Sequence, residues 1–305
     1  MQRRDFLSTT LATLGASALP AFATGPVNRP GKSRMMLGLA AYSFREYFKW
    51  MRGKEQKPKD GRPQWEVSDF IDYCAEQNVP GAELTSYFFP PDATPATMLE
   101  VKRRAYLRGV SITGTAVGNN FALAKGKELD DQIADVKKWI DFAAILNAPH
   151  IRVFAGNPKK DMNFDEALAN CIAAYQECLD YAGTKGVFLG IENHHGLVAD
   201  PANLIKIIES VKSPWAGINF DSGNFNTEDP YGDLEKIAPY AINVQLKMRV
   251  KPKGNPEGTP SDIPRVLKML RDANYQGWFT LEFEEKEDPF VAVPKILNDL
   301  RPLLG

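Results

Sequence analysis

Four stretches decide how this chain is read: VFLGIEN (187–193), AGINFDS (216–222), AINVQLKM (241–248) and GWFTLEFE (277–284). Each is an apolar, β-type run that ends on polar residues. Their oxygen-bearing side chains are Glu192, Asp221, Gln245 and Glu282, spaced 29, 24 and 37 residues apart. Each interval is about one strand–helix unit. Runs apolar on nearly every residue suit parallel strands buried on both faces. Three carboxylates and an amide at equivalent places in successive units predict one shared ring of oxygens, the donor type that hard divalent cations prefer. Lys247 has the strand parity of Gln245, so its ammonium is predicted on the same side as a counter-charge.

Working outward, the same alternation continues upstream. MLGLAAYS (36–43), GAELTSY (81–87), VSITGTAVG (110–118) and HIRVFAG (150–156) read as four more strands. Amphipathic helical segments lie between them, among them WEVSDFIDYCAEQN, ELDDQIADVKKWIDFAAILN and FDEALANCIAAYQECLDYAGTKG. Asp200-Pro201 forms an N-cap signal with proline at the first helical turn. Eight strands alternating with eight helices predict a single-domain α/β fold, a closed (β/α)8 barrel over residues 34–305. A doubly wound dinucleotide-binding sheet would require a G-x-G-x-x-G turn after a strand, and the chain has none. Two connections, Glu46–Gln64 and Arg249–Pro260, are long, basic and rich in Pro and Gly. Both follow strands, which puts them on the C-terminal face where barrel active sites are built.

Composition excludes some functions. The chain has 305 residues, 44% hydrophobic and 25% charged, with formal charge -1. There is no basic excess of the kind that marks nucleic-acid binders. No apolar run approaches the ~20 residues of a membrane span, so no stable membrane anchor is expected. Residues 1–23, MQRRDFLSTTLATLGASALPAFA, pair an Arg3-Arg4-x-Phe6-Leu7 run with an Ala21-Phe22-Ala23 cleavage signature. They predict a cleaved twin-arginine export signal, a flexible leader over 24–33, and a periplasmic location. The cysteines are Cys74, Cys171 and Cys178. The last two, seven apart on one helix, are separated by about 10.5 Å, too far for a disulfide. All three read as buried, inert thiols.

These motifs together resemble the xylose-isomerase-like sugar isomerases and epimerases of the TIM-barrel class. Glu192 in IENHHG, Asp221 in FDSGN and Glu282 in TLEFE match the family's Glu, Asp and Glu metal ligands. Gln245 stands where the family usually has the His of a His-x-Lys pattern, and Lys247 keeps the Lys. The resemblance implies one Mn²⁺ or Mg²⁺ ion, a small sugar or glycoside as substrate, and pairing of barrels through their helices. It also implies proton transfer through an enediolate, with Glu192, Glu282 and Lys247 as catalytic groups. The candidate substrate contacts are His194, Tyr42, Phe44, Glu83, Asn119 and Arg152. His195 is expected to point away, and His150 to be structural. Without a Gly-rich phosphate cradle after strands seven and eight, a neutral sugar is expected over a phosphosugar. Two alternatives stand beside isomerisation: cleavage of a 3-keto-glycoside on the same site, and a non-catalytic carbohydrate-binding barrel.

Overall fold

The computed structural model describes residues 25–304. The expected signal, residues 1–23, lies outside them. Eight parallel strands close into a barrel, β1 (Arg34–Ala40), β2 (Gly81–Glu83), β3 (Ser111–Ala116), β4 (His150–Val153), β5 (Phe188–Glu192), β6 (Ala216–Asp221), β7 (Ala241–Leu246) and β8 (Gln276–Leu281). Each strand hydrogen-bonds its neighbours in chain order, and β8 returns to β1 with Arg34 opposite Gln276. Eight helices form the outer layer, α1 (Val67–Glu76), α2 (Pro95–Arg108), α3 (Lys127–Leu146), α4 (Phe164–Lys185), α5 (Pro201–Ser210), α6 (Pro230–Ile237), α7 (Ile263–Asp272) and α8 (Pro289–Leu304). Helix starts follow the capping chemistry: the Asp200 side chain accepts from the Ala202 amide at 2.8 Å, with Pro201 at the first turn. No helix among the described residues is long and apolar enough to cross a membrane.

Every strand stops short of its apolar run. Residues 84–87 leave β2 and enter a 3₁₀ turn at Ser86–Phe88, and residues 117–118 leave β3. The run therefore marks the strand plus the start of the loop that carries function. Strand ends fix the site: Glu192 closes β5, Asp221 closes β6, and Lys247 and Glu282 each stand one residue beyond β7 and β8.

The helix-facing side of the sheet is apolar, but the barrel interior is not. Glu83, Thr113, Thr115, His150, Asn219, Asn243, Gln245 and Thr280 are all buried. Two register shifts, at Ala82/Glu83 and Ile218/Asn219, accompany Glu83 and Asn219, as expected where a bulge re-aims a side chain. Gly114 makes room for the His150 imidazole, since a Cβ there would sit 2.0 Å from the ring. Burial lowers His150 to about 4, so it is neutral at pH 7 and serves the interior rather than the site.

The Glu46–Gln64 connection folds over the top of β1 and α1. It carries a two-residue ribbon, Trp50–Met51 against Lys54–Glu55. Its aromatic residues seal the space above α1, where Phe48 stacks on Phe88 at 4.0 Å. Cys74, Cys171 and Cys178 are free and buried, and burial raises all three thiols, which keeps them inert.

Candidate active site

The C-terminal ends of the strands enclose a pocket of about 370 Å³. Its floor is charged. Glu192 lies with Oε2 2.8 Å from Arg152 Nε, and its Oε1 accepts from Asn224 Nδ2 at 2.6 Å. Lys247 Nζ donates to Glu282 Oε2 at 2.6 Å, also to Glu284 Oε2, and lies 3.4 Å from Asp221 Oδ2. Asp221 Oδ1 accepts from the Gly223 amide at 2.8 Å, whereas Oδ2 makes no hydrogen bond. Four carboxylates thus face two cations at the end of the barrel, in surroundings where charges are poorly screened.

The balance shows in the acidities. Burial raises Glu192 to about 7 against the opposing pull of Arg152. Burial also lifts Asp221 well above its ordinary value. Burial works against the Lys247 ammonium, but Asp221, Glu282 and Glu284 outweigh it and hold the lysine well above its usual value. Lys247 in turn keeps Glu284 low in spite of burial. Lys247 is therefore a fixed positive charge, and Glu192 is a carboxyl poised to hold or release a proton near neutral pH, the property a general acid or base needs.

The walls come from the strand-end loops. Tyr42, Asn119, Arg152 and His194 line the pocket. His195 lines it too, contrary to expectation: its ring lies tilted against His194 with centroids 3.6 Å apart, and His194 leans on Phe154 at 4.8 Å. Burial lowers His194 to about 3, so it faces the pocket as a neutral imidazole. Asn119 spends its side chain on Phe154, donating to the carbonyl at 2.8 Å and accepting from the amide at 2.9 Å, so it shapes the β4 loop.

Three expectations need correction. Phe44 is fully buried away from the pocket, against Trp65, Tyr73 and Phe290 at ring distances of 4.8–5.1 Å. Its β1 loop turns it onto α1, where it packs in an aromatic cluster with Phe70 and Tyr73. Glu83 does not reach the pocket either. It lies inside the barrel and accepts from Gln245 Nε2 at 2.6 Å and Asn243 Nδ2 at 2.7 Å. Gln245, the predicted fourth oxygen ligand, spends its amide in the same place: its Oε1 accepts from Asn219 Nδ2 at 2.6 Å. Side chains that point into a barrel stack in layers, and Gln245 belongs to the layer below Lys247. Parity gives the two residues one side but not one height.

The predicted metal ring meets this geometry only in part. The carboxylates are the right kind of donor for a hard dication, and Asp221 Oδ2 is buried without a hydrogen-bond donor. The arrangement nevertheless does not fit the ring. Gln245 is engaged below, Glu192 leans on Arg152, and Asp221 and Glu282 close on an ammonium. No three Asp, Glu, His or Cys side chains among the described residues are arranged to hold an ion.

Several pocket residues had no place in the sequence reading. Asn224 follows Asp221 by three in FDSGN, and Glu284 follows Glu282 by two, so strand parity was the available signal for Glu284. Arg52 and Asn157 come from loops, which carry no periodic signal.

Known proteins place this architecture. The chain resembles the crystal structure of D-psicose 3-epimerase in the presence of D-fructose, at 16% identity, with 89% of this chain and 100% of that one covered and a TM-score of 0.68. It resembles 3-keto-D-glucoside 4-epimerase from E. coli at 17% identity, 88% and 100% coverage and a TM-score of 0.68. A xylose isomerase domain protein from Planctomyces limnophilus superposes at 17% identity, 90% and 99% coverage and a TM-score of 0.64. At such identities the likeness is one of fold. No curated protein sequence matches the chain. The family model described as xylose isomerase-like TIM barrel matches residues 71–300, and the chain belongs to that family.

Proposed function

We propose that this chain is a sugar isomerase or epimerase that moves a proton on a ketose or keto-glycoside. One observation carries the reading: Glu192 and Glu282, each held by its own cation, share the floor of one pocket of monosaccharide dimensions. The epimerases that share this fold support it.

The chemistry follows from the residues. One carboxylate removes the proton from the carbon beside the carbonyl. The C–H electron pair moves into the carbon framework, and negative charge gathers on the carbonyl oxygen. Lys247 and Arg152 are fixed cations in poorly solvated surroundings, where stabilisation of such an oxyanion is strong. The second carboxyl returns a proton. Return to the same carbon from the opposite face inverts it, and return to the neighbouring carbon exchanges aldose and ketose. Loss of a β-substituent from the same enediolate would cleave a 3-keto-glycoside instead. The neutral His194 and His195 imidazoles can each donate one hydrogen bond to a sugar oxygen.

Solvent-deuterium incorporation into a turned-over sugar tests the assignment. Glu192→Gln and Glu282→Gln should each lower exchange by about 10²–10⁴-fold, the usual contribution of a positioned acid or base. Full exchange in both variants would remove both residues from the mechanism. We also propose export by the twin-arginine route. Arg3→Lys with Arg4→Lys should leave the protein in the cytoplasm, and unchanged periplasmic recovery would refute the route.

A further inference from the structure

The pocket has a third cation, Arg52, and no carboxylate among the described residues pairs with it. Arg52 sits at the tip of the ribbon after β1, in the two-residue loop Arg52–Gly53 that joins Met51 to Lys54. Its guanidinium lies over the Tyr87 ring at 4.3 Å and lines the pocket wall. Arg152 and Lys247 are each paired with carboxylates. Arg52 makes no ion pair and no side-chain hydrogen bond among the described residues.

The backbone gives an independent reason to single it out. Arg52 and Gly53 have φ of 50° and 76°, the pattern of a type I′ hairpin turn. Asn-Gly is the favoured pair there, because the left-handed region is costly for a side chain like arginine. The other non-glycine residues with positive φ among the described residues are Asn78, Asn147 and Asn274. Arginine thus occupies a position where asparagine is the easier choice. A strained, non-glycine conformation held beside a pocket is a reason to look for function. The Arg52 amide donates to the Tyr87 carbonyl at 3.0 Å, which ties the ribbon tip to the pocket wall.

We infer that Arg52 is a specificity residue that receives an anionic substituent, a carboxylate or phosphate, on the sugar bound in this pocket. The inference rests on the reading of the pocket as a sugar site. It goes beyond that reading by giving the substrate a charge and a direction, and it replaces the expectation of a neutral sugar. The acidic group lies against Arg52 and Tyr87, and the reacting carbons lie toward Glu192 and Glu282. A guanidinium offers a planar fork of donors that matches carboxylate or phosphate oxygens, and stacking on Tyr87 holds that plane in place. The carboxylates at the floor repel an acid placed there, so the two walls together admit one orientation.

Equilibrium binding tests this without turnover. D-fructuronate, D-fructose 6-phosphate and D-fructose, all ketoses, would be titrated into the wild-type protein, Arg52→Asn and Arg52→Lys at low and moderate salt. At least one anionic probe should bind wild type tenfold or more tighter than fructose, with the preference shrinking as salt screens the charge. The tighter of the two acids identifies the substituent. Arg52→Asn should bring the preference below twofold by weakening the acids far more than fructose, while its melting temperature stays the same or rises by about 2 °C as strain is relieved. Arg52→Lys should keep part of the preference. Fructose bound as tightly as both acids, or a preference that survives Arg52→Asn, overturns the role of Arg52 alone. Failure of wild type to bind any of the three ketoses overturns the ketose reading of the site, and this inference with it.

Discussion

Two polar layers lie one above the other in this barrel, and both are buried, yet they solve burial differently. The lower layer is a closed hydrogen-bonded ring. Gln245 donates to Glu83 at 2.6 Å, Asn219 donates to Gln245 at 2.6 Å, and Asn243 donates at 2.7 Å both to Asn219 and back to Glu83. One carboxyl is surrounded by neutral amides, and every ring member has a partner. The upper layer is built of ions. Four carboxylates gather around Arg152 and Lys247, and one buried oxygen of Asp221 has no hydrogen bond. A satisfied network of amides holds a shape. A cluster of charges that only partly cancel holds free energy that a substrate's charge and protons can draw on. The contrast separates support from chemistry within a few ångströms of the same strands.

The largest effect that would break this contrast comes from Lys247→Met. The ammonium is the common partner of Asp221, Glu282 and Glu284. Removing one side of a buried ionic cluster typically costs about 3–5 kcal/mol, so the melting temperature should fall sharply at pH 7. Turnover should fall by about 10²-fold or more, the scale of a lost oxyanion donor. The same change leaves Asp221 and Glu282 without their cation. Mn²⁺ should then bind the variant at least tenfold more tightly than it binds wild type, read by calorimetry. Equal affinity in the two proteins would mean that the carboxylates do not converge on the place the ammonium holds.

The lower layer gives a smaller effect with a definite sign. Burial raises Glu83 to about 7 in the folded protein, whereas a glutamate in an unfolded chain titrates near 4.3. Between those values the folded state binds more protons than the unfolded one. Stability contributed by Glu83 is therefore fully present below about pH 4 and is lost as pH rises toward 7. Each unit of difference corresponds to about 1.4 kcal/mol, so the loss is on the order of 3–4 kcal/mol. Glu83→Gln should flatten that slope in melting temperature measured from pH 4.5 to 7.5. It should also cost about 1–3 kcal/mol, because each Glu83 oxygen accepts from its own donor and the new amide nitrogen would leave either Asn243 or Gln245 without its acceptor. Steady-state constants at a fixed pH should move little. A large loss of turnover with unchanged stability would place Glu83 in the chemistry after all.

The difference between the layers also explains what could be read beforehand. Periodic apolar runs are a one-dimensional signal, and they located all eight strands and the carboxylates Glu192, Asp221 and Glu282 at or just beyond strand ends. Parity along a strand placed Lys247 with them. Height within the barrel depends on strand tilt and on bulges such as those at Glu83 and Asn219, and neither is written in a local pattern. Hence Gln245 and Glu83 read as site residues when they belong below the site. Phe44 was misplaced for a related reason: an aromatic residue after β1 can turn toward the pocket or toward α1, and α8's Phe290, far away in sequence, decides. Arg52 and His195 depend on loop geometry alone.

The smallest change sharpens the upper layer from within. Asn224 Nδ2 donates to Glu192 Oε1 at 2.6 Å, a hydrogen bond to the charged form of the carboxyl. Such a bond favours ionisation. Without it the Glu192 carboxyl, already at about 7, should hold its proton to higher pH. A hydrogen bond to an ionised group is worth about 1.5–3 kcal/mol, and solvent can enter to recover part of that, so a shift of about half to one pH unit is expected. In Asn224→Ala the acidic limb of the kcat/KM profile should move upward by that amount, with the plateau lowered only a few-fold. If Glu192 acts as an acid in the measured direction, the basic limb moves upward instead, so the limb that shifts assigns its role. A profile that keeps both limbs in place would show that Glu192 is not the group whose ionisation governs turnover.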